Sequence, residues 1–307
     1  MTYAPTAIDL TRLTSPDAIE PLSHDTLRIA FLDRFAEQWD VERALDPTLP
    51  VWDVGGLEAN PVARVAGRAW SYLRLLDRQR VNDALKALLA PLASGSNLDA
   101  LVARQNVQRL VVRSATADAA AVVETDAALL RRYLLSFDLA SAGSADRYLY
   151  EAWTAWPEML DARVNGRAVH GRRGDTDIVI IGPGGRLATA EEKAAVRDAV
   201  LAPHVRPEAV SVAVIDATRL EYRADLVIEV APGPDAGVIR NEAEARVRAA
   251  GDARILIGGE IPAGYLAAAA YGPNVIKVRD NAPVLIEPHP YAMPVLTDVS
   301  IAVEVRL

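Results

Sequence analysis

Apolar residues recur along residues 61 to 93 at the spacing of a helix that must bury one side. Val62, Ala66, Ala69, Leu73 and Leu76 follow one another at steps of four and three, which places them on one helical face. Asn60-Pro61 predicts the start, since Asn accepts a backbone N–H at a cap and Pro loses no hydrogen bond in a first turn. Past a polar turn, Arg78-Gln79-Arg80 with Asn82, the stripe resumes at Val81, Leu85, Leu88 and Leu92, displaced around the helix. At 1.5 Å per residue the helix would span roughly 45 to 50 Å, more than one small domain covers. Each Leu or Val withdrawn from water contributes about 1.5–3 kcal/mol, and a stripe that changes partner partway suits a bundle of several chains. The expected partner interface is therefore Val62, Ala66, Ala69, Leu73, Leu76, Arg80, Val81, Asn82, Leu85 and Leu88. Arg80 or Asn82 would set its register, because their hydrogen bonds are unmade in a slipped arrangement. The competing expectation is an exposed charged turn of an intramolecular helix.

Elsewhere the pattern predicts other elements. Pro5, Ser15, Pro16 and Pro21 make residues 1 to 22 an extended arm. A helix capped by Ser23 or Asp25 carries Leu27, Phe31 and Phe35 toward Trp39, and residues 45 to 56 read as a linker. Gly95 should end the long helix and Ser96 should cap a second one, LDALVARQ, with Asp99 completing a capping box. A helix around TDAALLRRYLLSF would be capped by Thr125 or Asp126. From residue 143 onward TDIVII, VSVAVID, RLEYRADLVIEV, NVIKV and DVSIAVEVRL are rich in β-branched residues and read as strands. Helices are expected between them at 190–202, 237–250 and 261–271. The fold class is α+β, with long N-terminal helices forming an inter-chain bundle ahead of small sheet domains. The expected boundaries are 1–56 for the arm, first helix and linker, 57–112 for the long-helix segment, 113–218 for a middle α+β domain and 219–307 for a C-terminal one.

Composition narrows the functional classes. A formal charge of -8 argues against a broad phosphate-binding surface, so nucleic acid is not an expected partner. The absence of cysteine rules out disulfides, thiol nucleophiles and Cys-ligated metals. The opening MTYAPTAIDL shows no basic segment leading into an apolar run, and no stretch approaches the ~18 apolar residues of a membrane span. The expectation is a chain made in the cytosol, without a membrane partner.

Candidate chemistry is sparse. In IIGPGGRLATAEEK the glycines Gly182, Gly184 and Gly185 match neither a phosphate loop nor a dinucleotide turn, and Thr189 with Glu192 has capping-box spacing. A structural turn is expected there. Asp175 and Asp177 are expected to pair with Arg172 or Arg173 rather than hold a cation, and no local histidine or serine motif supports an active site. Glu191, Glu192, Glu242 and Glu244 are read as first-turn carboxylates favoured by the helix dipole, and AAAA at 267–270 as a packing surface. No catalytic residue, cofactor or metal is expected.

RQRVNDALKALLAPLASGSNLDALVARQNVQRL (78–110) resembles the N-terminal helical signature of J-like baseplate wedge proteins of contractile-tailed phages such as Mu. GSADRYLYEAW (143–153), VRP (205–207), APGPDAGVI (231–239) and IPAGYLAAAAYGPNVIKV (261–278) resemble later family segments in the same order. Two departures stand out: Glu208-Ala209-Val210 replaces the family's Leu-Thr-Asp, and GRAVHGRRG (166–174) resembles no family segment. The resemblance implies a structural, non-enzymatic role in the virion tail baseplate, assembled in the host cytoplasm. It implies that two copies in different conformations join a smaller tail-protein-I-like wedge subunit through a shared helical bundle. A lysozyme-like wedge subunit and hub and sheath proteins are the other implied partners. Six wedges would close around hub and spike and rearrange to trigger sheath contraction, with hinges at 45–56 and near Gly143. The alternatives are a cell-wall hydrolase and an unrelated cytosolic scaffold.

Overall fold

A computed structural model of the chain describes residues 16, 18–51, 61–117, 119–233 and 235–306, apart from the side chain of Val62. The predicted Asn60 cap and residues 52–56 of the 45–56 linker lie outside the described residues. The chain divides into two units, Met1–Asn106 and Val107–Leu307.

The first unit is helical. Helix α1 (His24–Leu45) starts at Ser23, whose hydroxyl accepts the Thr26 amide at 3.3 Å. Helix α2 runs Pro61–Ala87, six residues short of the predicted 93. Pro91 explains the difference: it has no N–H to donate and disfavours helical backbone at Ala90, so residues 88–93 form separate turns. Helix α3 (Gly95–Val102) begins just after Ser94, which makes no side-chain capping bond, so Ser96 lies inside the helix and not at its cap. Gly95, at φ +54°, opens α3 where the sequence pattern had it closing α2.

The second unit is α+β. It opens with a short antiparallel pair, β1 (Val111–Arg113) and β2 (Val122–Val123), then α4 (Asp126–Leu135) and α5 (Ala145–Ala155). Strands β3 (Asp161–Asn165), β4 (Asp175–Ile181) and β5 (Ser211–Asp216) form one sheet, with helices α6 (Arg167–His170) and α7 (Ala190–Val200) between them. Strands β6 (Thr218–Val230), β7 (Val275–Asp280) and β8 (Ala292–Val305) form a second sheet in the order β7-β6-β8, with helices α8 (Ala236–Asp252) and α9 (Tyr265–Ala270). Each sheet has one antiparallel and one parallel neighbour around its central strand.

Four consecutive apolar residues, Ile178 to Ile181, are fully buried because β4 is covered on both faces. Ile178 and Ile180 pack with Tyr148, Trp153 and Val196, while Val179 and Ile181 pack with Ala217, Ile257 and Met293. That second cluster joins the two sheets. In the second sheet Tyr222, Ala224, Leu226 and Ile228 alternate toward Ile239, Ala243 and Val247 of α8.

Three expectations change. Helix α9 starts at Tyr265, not 261, because Gly264 takes φ +77° and Ile261 bridges to Ile286. Glu242 and Glu244 lie in mid-helix, where they pair with Arg246 and Arg248 at i,i+4, and Asp235 caps α8 instead. Gly143, expected as a hinge, is packed tightly: its amide bonds the Val205 carbonyl at 2.9 Å, and a Cβ there would lie 2.6 Å from Pro207.

Candidate inter-chain interface

Helix α2 is covered by its own chain on its small-residue side. Ala63, Gly67, Ser71 and Asn82 are buried, a spacing that keeps them on one face. Gly67 lets α1 come close, since a Cβ there would stand 3.1 Å from the Phe31 ring. Phe31 also meets Trp70 with ring centroids 5.4 Å apart, and Leu32 packs with Ala63 to form a very small core. Ser71 closes the contact: its hydroxyl donates to the Arg68 carbonyl and lies 2.8 Å from His24 Nε2.

The large apolar residues point the other way. Val65 is 62% exposed, Leu73 61% and Leu76 48%, and Ala66 and Ala69 are exposed beside them. At about 100° per residue these fall within one arc centred opposite Gly67 and Ser71. Pro61, Val65, Ala66 and Ala69 line a shallow, almost wholly apolar depression of ≈ 480 Å³ on this side. Burial of such side chains is the main favourable term in association, and here water still covers them.

Arg80 is exposed on this outward side, and Val81 and Leu88 are exposed further around. Leu85 is half-buried and Asn82 is only 5% exposed, so the structure separates these two from the other described members of the predicted set, Val62 having no described side chain. Asn82 instead grips the chain's own arm: its amide donates to the Glu20 carbonyl at 2.9 Å, and its Oδ1 accepts the Glu20 N–H at 3.2 Å. Arg78 pairs with the Glu20 carboxylate. The polar turn thus holds the segment that leads into α1, which the apolar periodicity alone did not reveal.

The remaining candidates are structural. At the glycine turn, Gly184 and Gly185 take φ +65° and +74°, and a Cβ on Gly185 would lie 2.9 Å from Ile255. Thr189 and Glu192 form the capping box, and Arg186 grips Glu192 at 2.5 Å. That guanidinium, despite partial burial, pulls the Glu192 carboxyl down to about 2. Arg172 bridges Asp175 at 2.9 Å and Asp177 at 2.6 Å, and Tyr291 donates to Asp177 at 2.7 Å, so the aspartates are paired as expected. Among the described residues no group of three or more His, Cys, Asp or Glu is arranged to hold a metal.

One buried polar feature had no sequence signal. Glu124 and Arg132 form an ion pair at 2.7 Å with almost no exposure. Glu124 Oε2 also accepts the Leu110 amide, and Arg132 donates to Thr154 Oγ1 and the Gln108 carbonyl. This network ties the start of the second unit to α4 and α5. The partners lie eight residues apart with no helical periodicity connecting them, so only the fold brings them together.

Comparisons with known proteins bear on these geometries. The family model described as Baseplate J-like N-terminal domain matches residues 58–116, the segment that contains α2 and α3. Baseplate protein J of Escherichia phage P2 is 28% identical over 297 residues, which covers 90% of this chain and 91% of that protein.

Proposed function

Because the chain belongs to the J-like family of phage baseplate proteins, we propose that it is a structural subunit of the tail baseplate wedge, with α2 as its main assembly helix. The observation that carries this reading is the uncovered apolar side of α2, which lies inside the segment matched by the family model. The core that α1 supplies to α2 is too small to account for a helix of this length, so further helices complete it. Those helices belong to a second copy of the chain in another conformation and to a smaller tail-protein-I-like subunit. The lysozyme-like wedge subunit, hub and sheath are contacted from other surfaces. Wedges close into a ring around the hub, and the ring rearranges to release sheath contraction. Such switching needs rigid bodies joined by a segment that absorbs the change. The tight packing of Gly143 against Pro207 disfavours a hinge there and leaves 45–56 as the segment proposed. The role is one of assembly, not catalysis, in the virion tail baseplate.

The lack of native cysteine gives a direct test. With Ala69→Cys as the single thiol, a maleimide reagent should label the free chain rapidly and the assembled baseplate hardly at all. Equal labelling in both would remove α2's outward side from the assembly.

A further inference from the structure

The second sheet has a strand edge left half open. Strand β8 pairs with β6 along its full length, Thr218 to Val230, whereas β7 pairs only with Leu226 to Val230. Hydrogen bonds show which way the β6 backbone faces. The Thr218 amide bonds Tyr291, the Tyr222 carbonyl accepts from Thr297 Oγ1, and the Val230 carbonyl accepts from Arg306, so even-numbered residues address β8. The Asp225 carbonyl accepts from Asn281 at the end of β7, so odd-numbered residues address the other side. The N–H and C=O groups of Arg219, Glu221 and Arg223 therefore point to an edge that no described strand occupies.

The chain that could cover this edge is held elsewhere. After Asn281 it peels away from β6, and Ile286 is fixed to Ile261 by two backbone bonds of 3.0 Å. Between β6 and residues 283–287 lies an open groove of ≈ 680 Å³, lined on its apolar side by Leu220, Tyr222, Val284, Leu285 and Ile286. Leu285 is 63% exposed at its rim.

We infer that this fork takes an extended segment of a partner protein as an added strand on β6. Its chemistry follows from what it would face. Residues directly opposite across a ladder share a face, so those opposite Arg219, Glu221 and Arg223 meet charges of alternating sign. The complementary segment reads acidic-apolar-basic-apolar-acidic, with its apolar residues toward Leu220, Tyr222 and Leu285. Backbone bonds would supply affinity and the alternating charges register. Arg219 already lies 3.2 Å from Glu221, and Arg223 has no carboxylate partner among the described residues. This inference is independent of the role assigned to α2.

The test uses the full chain and a capped synthetic peptide, Thr-Glu-Val-Arg-Val-Glu-Thr. Binding should slow hydrogen exchange at the amides of Arg219, Glu221 and Arg223 and leave even-numbered amides of β6 unchanged. The exposed variant Arg219→Glu/Glu221→Arg/Arg223→Glu should bind this peptide at least about tenfold more weakly, since three opposed pairs change sign. It should in turn prefer the charge-reversed peptide, Thr-Arg-Val-Glu-Val-Arg-Thr, a preference that misfolding cannot produce. Peptide binding without protection of those amides would overturn the inference, as would affinity indifferent to the charge reversal or the absence of any binding. Protection that rises with protein concentration alone would also overturn it, by assigning the edge to a second copy.

Discussion

Replacing Val65, Leu73 and Leu76 together by Asp should abolish the proposed wedge assembly without unfolding the chain. The three side chains retain 62%, 61% and 48% of their exposure, which is the part an interface can still bury. With about 1.5–3 kcal/mol for complete burial of one such side chain, that remainder is worth roughly 2.5 to 5 kcal/mol in total. Since each ~1.4 kcal/mol is tenfold, the expected loss of affinity is about two to nearly four orders of magnitude before any cost of desolvating three carboxylates. The free chain should hardly notice, because exposed substitutions usually change stability by less than about 0.5 kcal/mol. The assay is co-expression with the proposed smaller partner subunit, followed by sedimentation of the complex and thermal unfolding of the isolated variant. A complex of undiminished affinity would refute the claim that this side of α2 is finished by other chains. A variant that unfolds on its own would show that the surface is already used within the chain.

Gly67→Val should push α1 away from α2 through Phe31 and lower the unfolding temperature of the first unit, at a cost of about 1–3 kcal/mol. Glu124→Ala should be more severe, about 3–5 kcal/mol by chemical denaturation, because Arg132 is left charged and unpaired in the interior. Glu124→Leu combined with Arg132→Met should recover much of that loss. Glu192 has a folded value near 2 against an ordinary 4.5, so its stabilising contribution is complete above about pH 4.5 and is lost as pH falls toward 2. Arg186→Gln should flatten the stability profile in that window. An unchanged slope there would show that the pair contributes nothing net.

Much of this architecture was legible because the apolar periods are clean. The α+β class, strands β4 to β7, the Ser23, Thr125 and Thr189 caps and the paired aspartates all correspond to what residue order implies. The outward stripe of α2 was legible for the same reason. The side that α1 takes was not: steric fit gives it Ala63, Gly67 and Ser71, where two helices can come closest, and no periodicity of large apolar residues marks that face. Asn82 looked like a register device between chains because its partner, Glu20, is distant in sequence and uses only backbone atoms. Strand β3 was missed because its alternation is only five residues long and carries just two apolar residues, Ala162 and Val164. The first half of β8 was missed because Pro294 argues against a strand. Its missing N–H faces away from β6, so the edge tolerates it.

The direct run of β5 into β6 through Ala217 has a mechanical consequence. Ser211 to Val230 is a single path of about 60 Å contour that belongs to both sheets in turn. Tension applied at either end is shared among backbone bonds loaded in shear, and the apolar cluster at the joint resists bending. A tug on one sheet is therefore delivered to the other with little lost in between, as through a tie-rod.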